Sequence, residues 1–126
     1  MTQKSQLTDV ELQILGVLWR QGPSPVRVIH AELEAEKGTN YSTTVKMLSV
    51  MLQKGLVTRT ENERPHVYRP KVSRKAAGKR MLKDLVEKIY EGSAMSLVMQ
   101  ALTSEKPSPE EIEEVRQLLN EMEGKQ

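Results

Sequence analysis

The chain has 126 residues and a net charge of +2, enough for one compact domain or for a small domain with an interaction segment. It contains no cysteine, which excludes disulfides, iron–sulfur clusters and thiolate metal sites and fits a reducing compartment. No apolar run approaches the ~20 residues that span a bilayer, and the first residues lack the charged-then-apolar pattern of a signal peptide. No membrane partner and a cytoplasmic location are therefore expected.

The first helix is predicted to open at Thr8-Asp9-Val10-Glu11, a capping-box spacing. Val10, Ile14, Val17 and Leu18 recur at helical intervals, with Leu15 and Trp19 widening the stripe, and Gly22-Pro23 stops it. A second helix is predicted with Ser24 as N-cap and Pro25 at its first position, where a missing N–H costs nothing. Val26, Ile29 and Leu33 form its buried face, and Lys37-Gly38 closes it.

The third helix is predicted from Tyr41-Ser42 to Gly55. Tyr41, Val45, Leu48 and Leu52 make one apolar face. Thr43, Lys46, Met47, Val50 and Lys54 make the opposite, outward face. Leu56 to Thr60 is β-prone, Asn62-Glu63-Arg64-Pro65 is turn-like, and His66 to Arg69 is a second short strand. A helix followed directly by a basic two-stranded wing is the arrangement with which a winged helix-turn-helix grips double-stranded DNA. The helix fits the major groove and the wing brings cations to the backbone beside it.

No acidic residue stands between Thr39 and Thr60, although 29% of the chain is charged. A solvated helix face would carry glutamates, so this face suits a surface lying against phosphates. The candidate DNA contacts are Tyr41, Ser42, Thr43, Lys46, Met47, Val50 and Lys54 on the helix, with Arg59, Arg64 and His66 on the wing. Glu61 and Glu63 dilute the wing's charge. Residues 1–72 hold ten Lys and Arg against seven acids, and residues 73–126 hold nine against ten.

Beyond Pro70, Ser73 caps a long helix reaching about Glu91, and Gly92-Ser93 breaks it. Ala94 to Leu102 is apolar nearly all round, the pattern of a helix buried on several sides. Ser108 caps a last helix, with Pro109, Glu110 and Glu111 in its first turn. Three helices over about 50 residues form a marginal core, because burial per residue falls in small units. Leu82, Leu85, Ile89, Leu97, Leu102, Val115 and Leu118 are accordingly candidates for contact with a second copy of the chain. The expected fold is mainly α with a small β wing: a winged-helix DNA-binding domain over 1–72 and a helical dimerisation segment over 73–126.

His30 and His66 are the only histidines and fall in different elements, so no metal site is expected. There is no glycine-rich phosphate loop and no serine–histidine–acid arrangement, so neither a cofactor nor an enzyme is expected. Two rival readings are a MarR-like or PadR-like regulator with a ligand pocket, and a winged-helix module for protein contact. The acid-free face favours DNA over protein contact.

The order and spacing of these parts resemble the penicillinase and methicillin-resistance repressor family (BlaI/MecI, with the copper-responsive CopY relatives). The resemblance runs over Leu7-Thr8-Asp9-Val10-Glu11, Val17-Leu18-Trp19, Thr43 through Gly55, Val67-Tyr68, Tyr90-Glu91-Gly92-Ser93, Ser96-Leu97-Val98 and Glu110 to Leu119. It implies a homodimeric transcriptional repressor at a palindromic operator. In the antibiotic-sensing members an inducing signal leads to cleavage within the dimerisation segment. The matching bond here is Gln100–Ala101. Copper sensing through a C-terminal cysteine cluster is excluded, since this chain has none. Val45 and Val50 stand where the better-known repressors tend to be polar or basic, so an operator sequence does not carry over.

Overall fold

Thr8 and Glu11 start the first helix by closing a reciprocal pair. The Glu11 N–H donates to the Thr8 hydroxyl at 3.1 Å, and the Thr8 N–H donates to Glu11 Oε1 at 3.0 Å. The computed structural model describes residues 7–124, and α1 runs Asp9–Gln21. Then follow β1 (Ser24–Pro25), α2 (Val26–Lys37), α3 (Tyr41–Lys54), β2 (Val57–Arg59) and β3 (Val67–Pro70). The last elements are α4 (Arg74–Ile89), α5 (Ala94–Ser104) and α6 (Pro109–Gly124).

The first correction to the sequence reading lies at Ser24 and Pro25. They form a strand, not the first turn of the second helix, and the wing gains a third strand. The sheet order is β1-β3-β2, all antiparallel, with Ser24 opposite Tyr68 and Thr58 opposite Arg69. Ser24 is buried and turns its hydroxyl to the Gly22 carbonyl at 2.8 Å, so it does not cap α2. Pro25 is tolerated because β1 is an edge strand, where a missing N–H breaks no ladder. Two residues carry no periodicity, so the strand left no pattern to read.

α1, α2, α3 and the sheet enclose one core. Ile14, Leu15 and Leu18 from α1, Ile29 and Leu33 from α2, and Leu48 and Met51 from α3 are fully buried, with Val57 and Tyr68 beneath them. Each such side chain contributes roughly 1.5–3 kcal/mol relative to exposure. At the end of α3, Gly55 takes a left-handed φ of 79°, and Leu56 N–H then reaches back to the Met51 carbonyl at 2.9 Å. That turn sends the chain straight into β2.

The chain parts into two compact units within α4, one ending at Met81 and the other beginning at Leu82. The first turns of α4 stay with the winged helix for identifiable reasons. Trp19 Nε1 donates to the Val72 carbonyl at 3.0 Å, the Arg74 guanidinium sits 5.5 Å from the Trp19 ring, and Ala77 is buried.

In the second unit, the Ser93 hydroxyl caps α5 by accepting from Ser96 N–H, after a reversal in which Glu91 and Gly92 have φ of 51° and 87°. Ser108 and Glu111 close a second capping box at α6. The expected burial of Ala94 to Leu102 is not met within one chain: α5 has no buried residue, and Met95 is 62% exposed. Val86 is the one buried hydrophobic among the described residues of this unit.

Candidate nucleic-acid interface

The depth and rotation of α3 are set at both of its ends. Near its N-terminus, the buried Thr44 hydroxyl donates to the Asn40 carbonyl at 3.4 Å and lies 3.0 Å from His30 Nδ1. The Thr44 hydroxyl and His30 Nδ1 therefore share a hydrogen bond that joins α2 to α3, with the direction set by the His30 tautomer. The Tyr41 ring meets the His30 ring edge-on at 5.2 Å, and His30 Nε2 lies 3.5 Å from Glu34. His30 is therefore a strut between α2 and α3.

Near the C-terminus of α3, Lys54 Nζ donates to Glu11 Oε2 at 2.6 Å. Glu11 is wholly buried. Burial alone would raise its carboxyl pKa. The Lys54 hydrogen bond, the Thr8 N–H and the Lys54 charge outweigh that and hold it below the ordinary carboxylate value.

Thr44, Leu48 and Met51 thus form the buried stripe of α3. This rotates the helix from its expected setting. Tyr41 and Val45, assigned to the buried face, are 52% and 42% exposed. Met47, assigned outward, packs against the core, and Lys54 is tied to Glu11. Tyr41, Ser42, Thr43 and Lys46 are exposed, and Val50 is half-buried beside them. Ser49 and Gln53 are exposed on the same side and were missed. The missing signal was Thr44: counted as polar, it hid the stripe at i, i+4 and i+7 that puts Ser49 and Gln53 outside.

The wing tip holds its own cations in place. His66 Nδ1 donates to the Thr60 carbonyl at 2.6 Å, which leaves Nε2 to accept from Arg64 at 3.4 Å. Arg59 is engaged twice, with Glu61 at 3.2 Å and with the Tyr68 hydroxyl at 3.3 Å. Arg64 and Arg69 are exposed.

In the second unit, Leu82, Leu85, Ile89, Leu102 and Leu118 are exposed, and Leu97 and Val115 are half-buried. Gln100 and Ala101 lie within α5, where Gln100 Oε1 accepts from the Tyr90 hydroxyl at 3.0 Å. Among the described residues no cluster of three or more His, Asp or Glu is placed to hold a metal ion, and no helix is long and apolar enough to cross a membrane.

Three helices, a three-stranded wing and an exposed, acid-free third helix define a winged helix-turn-helix protein. The penicillinase repressor family matches residues 7–121, and the chain belongs to that family. Its members are transcriptional repressors, so the chain is a regulator and not an enzyme. The chain is 24% identical over 115 residues to the methicillin resistance regulatory protein MecI of Staphylococcus aureus strain N315, covering 91% of this chain and 94% of that one. It is 26% identical over 116 residues to the penicillinase repressor of Bacillus licheniformis, covering 92% and 91%. Among solved structures, a MarR family protein from Bacillus stearothermophilus matches 94% of this chain and 74% of its own, with 23% identity and a TM-score of 0.48.

Proposed function

We propose that the protein is a cytoplasmic, homodimeric repressor that binds double-stranded DNA at a palindromic operator. The observation that carries this reading is the outward side of α3. Ser42, Thr43, Lys46, Ser49 and Gln53 are exposed there on a helix without a carboxylate, braced at one end by His30–Thr44 and at the other by Glu11–Lys54. Lys46 and Gln53 present donors that suit base edges or phosphates. Val50 offers a methyl contact for thymine, and Arg64 and His66 reach the neighbouring backbone.

Dimerisation is supported by the apolar surface that the second unit leaves uncovered, from Leu82 to Met122. Two-fold pairing there presents two recognition helices to inverted half-sites. Each half-site then raises the effective concentration of the other.

That coupling gives cleavage its leverage. Breaking Gln100–Ala101 by an inducing protease divides α5 and releases α6 from the rest of the unit. The dimer weakens, and binding falls to that of a single half-site. Both residues are exposed, but the bond lies in a helix, so cutting requires local opening near Gly92-Ser93 or the Glu105–Pro109 connection. Mass spectrometry of the protein from induced cells tests this step, and a full-length chain on derepressed operators would reject it. Retention on immobilised duplex DNA that weakens as salt rises tests the DNA reading itself.

A further inference from the structure

From Arg64 to Lys83 the chain holds eight Lys and Arg and not one Asp or Glu, a denser cationic run than the one over α3. Lys71, Lys75, Lys79 and Arg80 in this run are exposed. Among the described residues, Lys71, Lys75 and Lys79 form no ion pair. Among the described residues, no carboxylate offsets these three lysines. Arg74 and Lys75 occupy the first turn of α4, where the helix dipole disfavours cations and no acidic residue offsets them. Lys75 and Lys79 are like charges at i, i+4, which repel on a helix face. The later turns of α4 follow the ordinary pattern instead, with Lys83–Glu87 at 3.5 Å and Lys88–Asp84 at 3.3 Å. The uncompensated charge is confined to the part of α4 that belongs to the winged-helix unit.

That part is held rigidly to the unit carrying α3. The Lys71 N–H donates to the Leu56 carbonyl at 2.8 Å, just beyond the end of α3, and Trp19 grips Val72 and Arg74. We infer that Lys71, Lys75, Lys79 and Arg80 form a second, sequence-independent contact with the DNA backbone, on phosphates flanking the segment that α3 reads. Charge complementarity supports DNA as the occupant, since exposed cations on and just before a fixed helix match a row of phosphates. The inference rests on the proposed DNA-binding function and extends its footprint.

The test is the salt dependence of DNA binding by the full chain and by the double variant Lys75→Ala/Lys79→Ala. The expected result is a slope of log affinity against log salt smaller by roughly two, since each lost phosphate contact removes about 0.9. The loss should be equal on selected and random duplexes, with the sedimentation profile unchanged. Lys75→Ala alone should remove about half of that slope change. Lengthening the flanking duplex should strengthen binding by the wild type more than by the double variant. An unchanged slope overturns the inference. So does a shift in association state with the slope preserved, which would assign the lysines to the glutamate-rich α6 of a second copy. Failure of the wild type to bind any duplex would instead reject the DNA reading itself.

Discussion

Lys54 and Glu11, 43 residues apart, meet at 2.6 Å and join the last turn of the recognition helix to the first turn of α1. Both carboxylate oxygens are used: Oε1 takes the Thr8 N–H of the capping box, and Oε2 takes the ammonium. One side chain therefore starts α1 and fixes where α3 ends. Removing the cation strands a buried carboxylate. Loss of one partner of a buried pair costs about 3–5 kcal/mol, and less where solvent reaches one of the two, as it reaches Lys54. Lys54→Met should destabilise the fold by roughly 1–3 kcal/mol. Urea unfolding should show a lower midpoint with an unchanged slope. An unchanged midpoint would mean that the pair is not formed in solution.

The same pair sets a pH dependence. Glu11 titrates below its ordinary value of 4.5 in the folded chain, so the unfolded chain takes up the proton first. The contribution is complete above about pH 4.5 and drains away as the pH falls through that value toward the folded one. Glu11→Gln cannot lose what it lacks. The stability gap between wild type and Glu11→Gln should be widest near neutrality and narrow on acidification below 4.5. A gap that stays constant across this range would contradict the assignment.

Lys46 stands exposed on the outward side of α3. Lys46→Ala should weaken operator binding by roughly 1–3 kcal/mol and relax preference at one base position if Lys46 reads a base edge. If it contacts only phosphate, binding should weaken equally on all sequences. Competition titrations against matched and mismatched duplexes separate the two. No change on any duplex would remove α3 from the groove.

Ile89 is 63% exposed within the chain, so a charge there costs the isolated fold little. In a dimer built from the second unit, the same charge falls in an apolar contact. Ile89→Glu should shift sedimentation toward the monomer while the helical circular dichroism is retained. A dimer of unchanged strength would exclude this face from the interface.

Local rules made much of this fold readable in the residues themselves. Thr8 with Glu11, Gly55, Ser93 and Ser108 each end or begin an element through a bond that a four- or five-residue window contains. What escaped depends on contacts distant in sequence. β1 exists only because Tyr68, 44 residues on, offers Ser24 a partner strand. Thr44 is buried because His30 satisfies its hydroxyl, and that single placement rotates the outward face of α3 onto Ser49 and Gln53. Lys54 reads as a free cation until Glu11 is seen beneath it. The run of cations into α4 was visible as letters, but counting charge separately on either side of Pro70–Ser73 divided it between two segments.

The most direct test of the central claim, that α3 reads DNA from a two-fold dimer, is sequencing of the duplexes retained by the purified protein from a randomised pool at physiological salt. Two inverted half-sites should emerge, with centres about 10 base pairs or a multiple of that apart. Lys46→Ala should lose either the motif or the affinity. A retained pool indistinguishable from the input, or a single half-site without its inverted partner, would contradict the account.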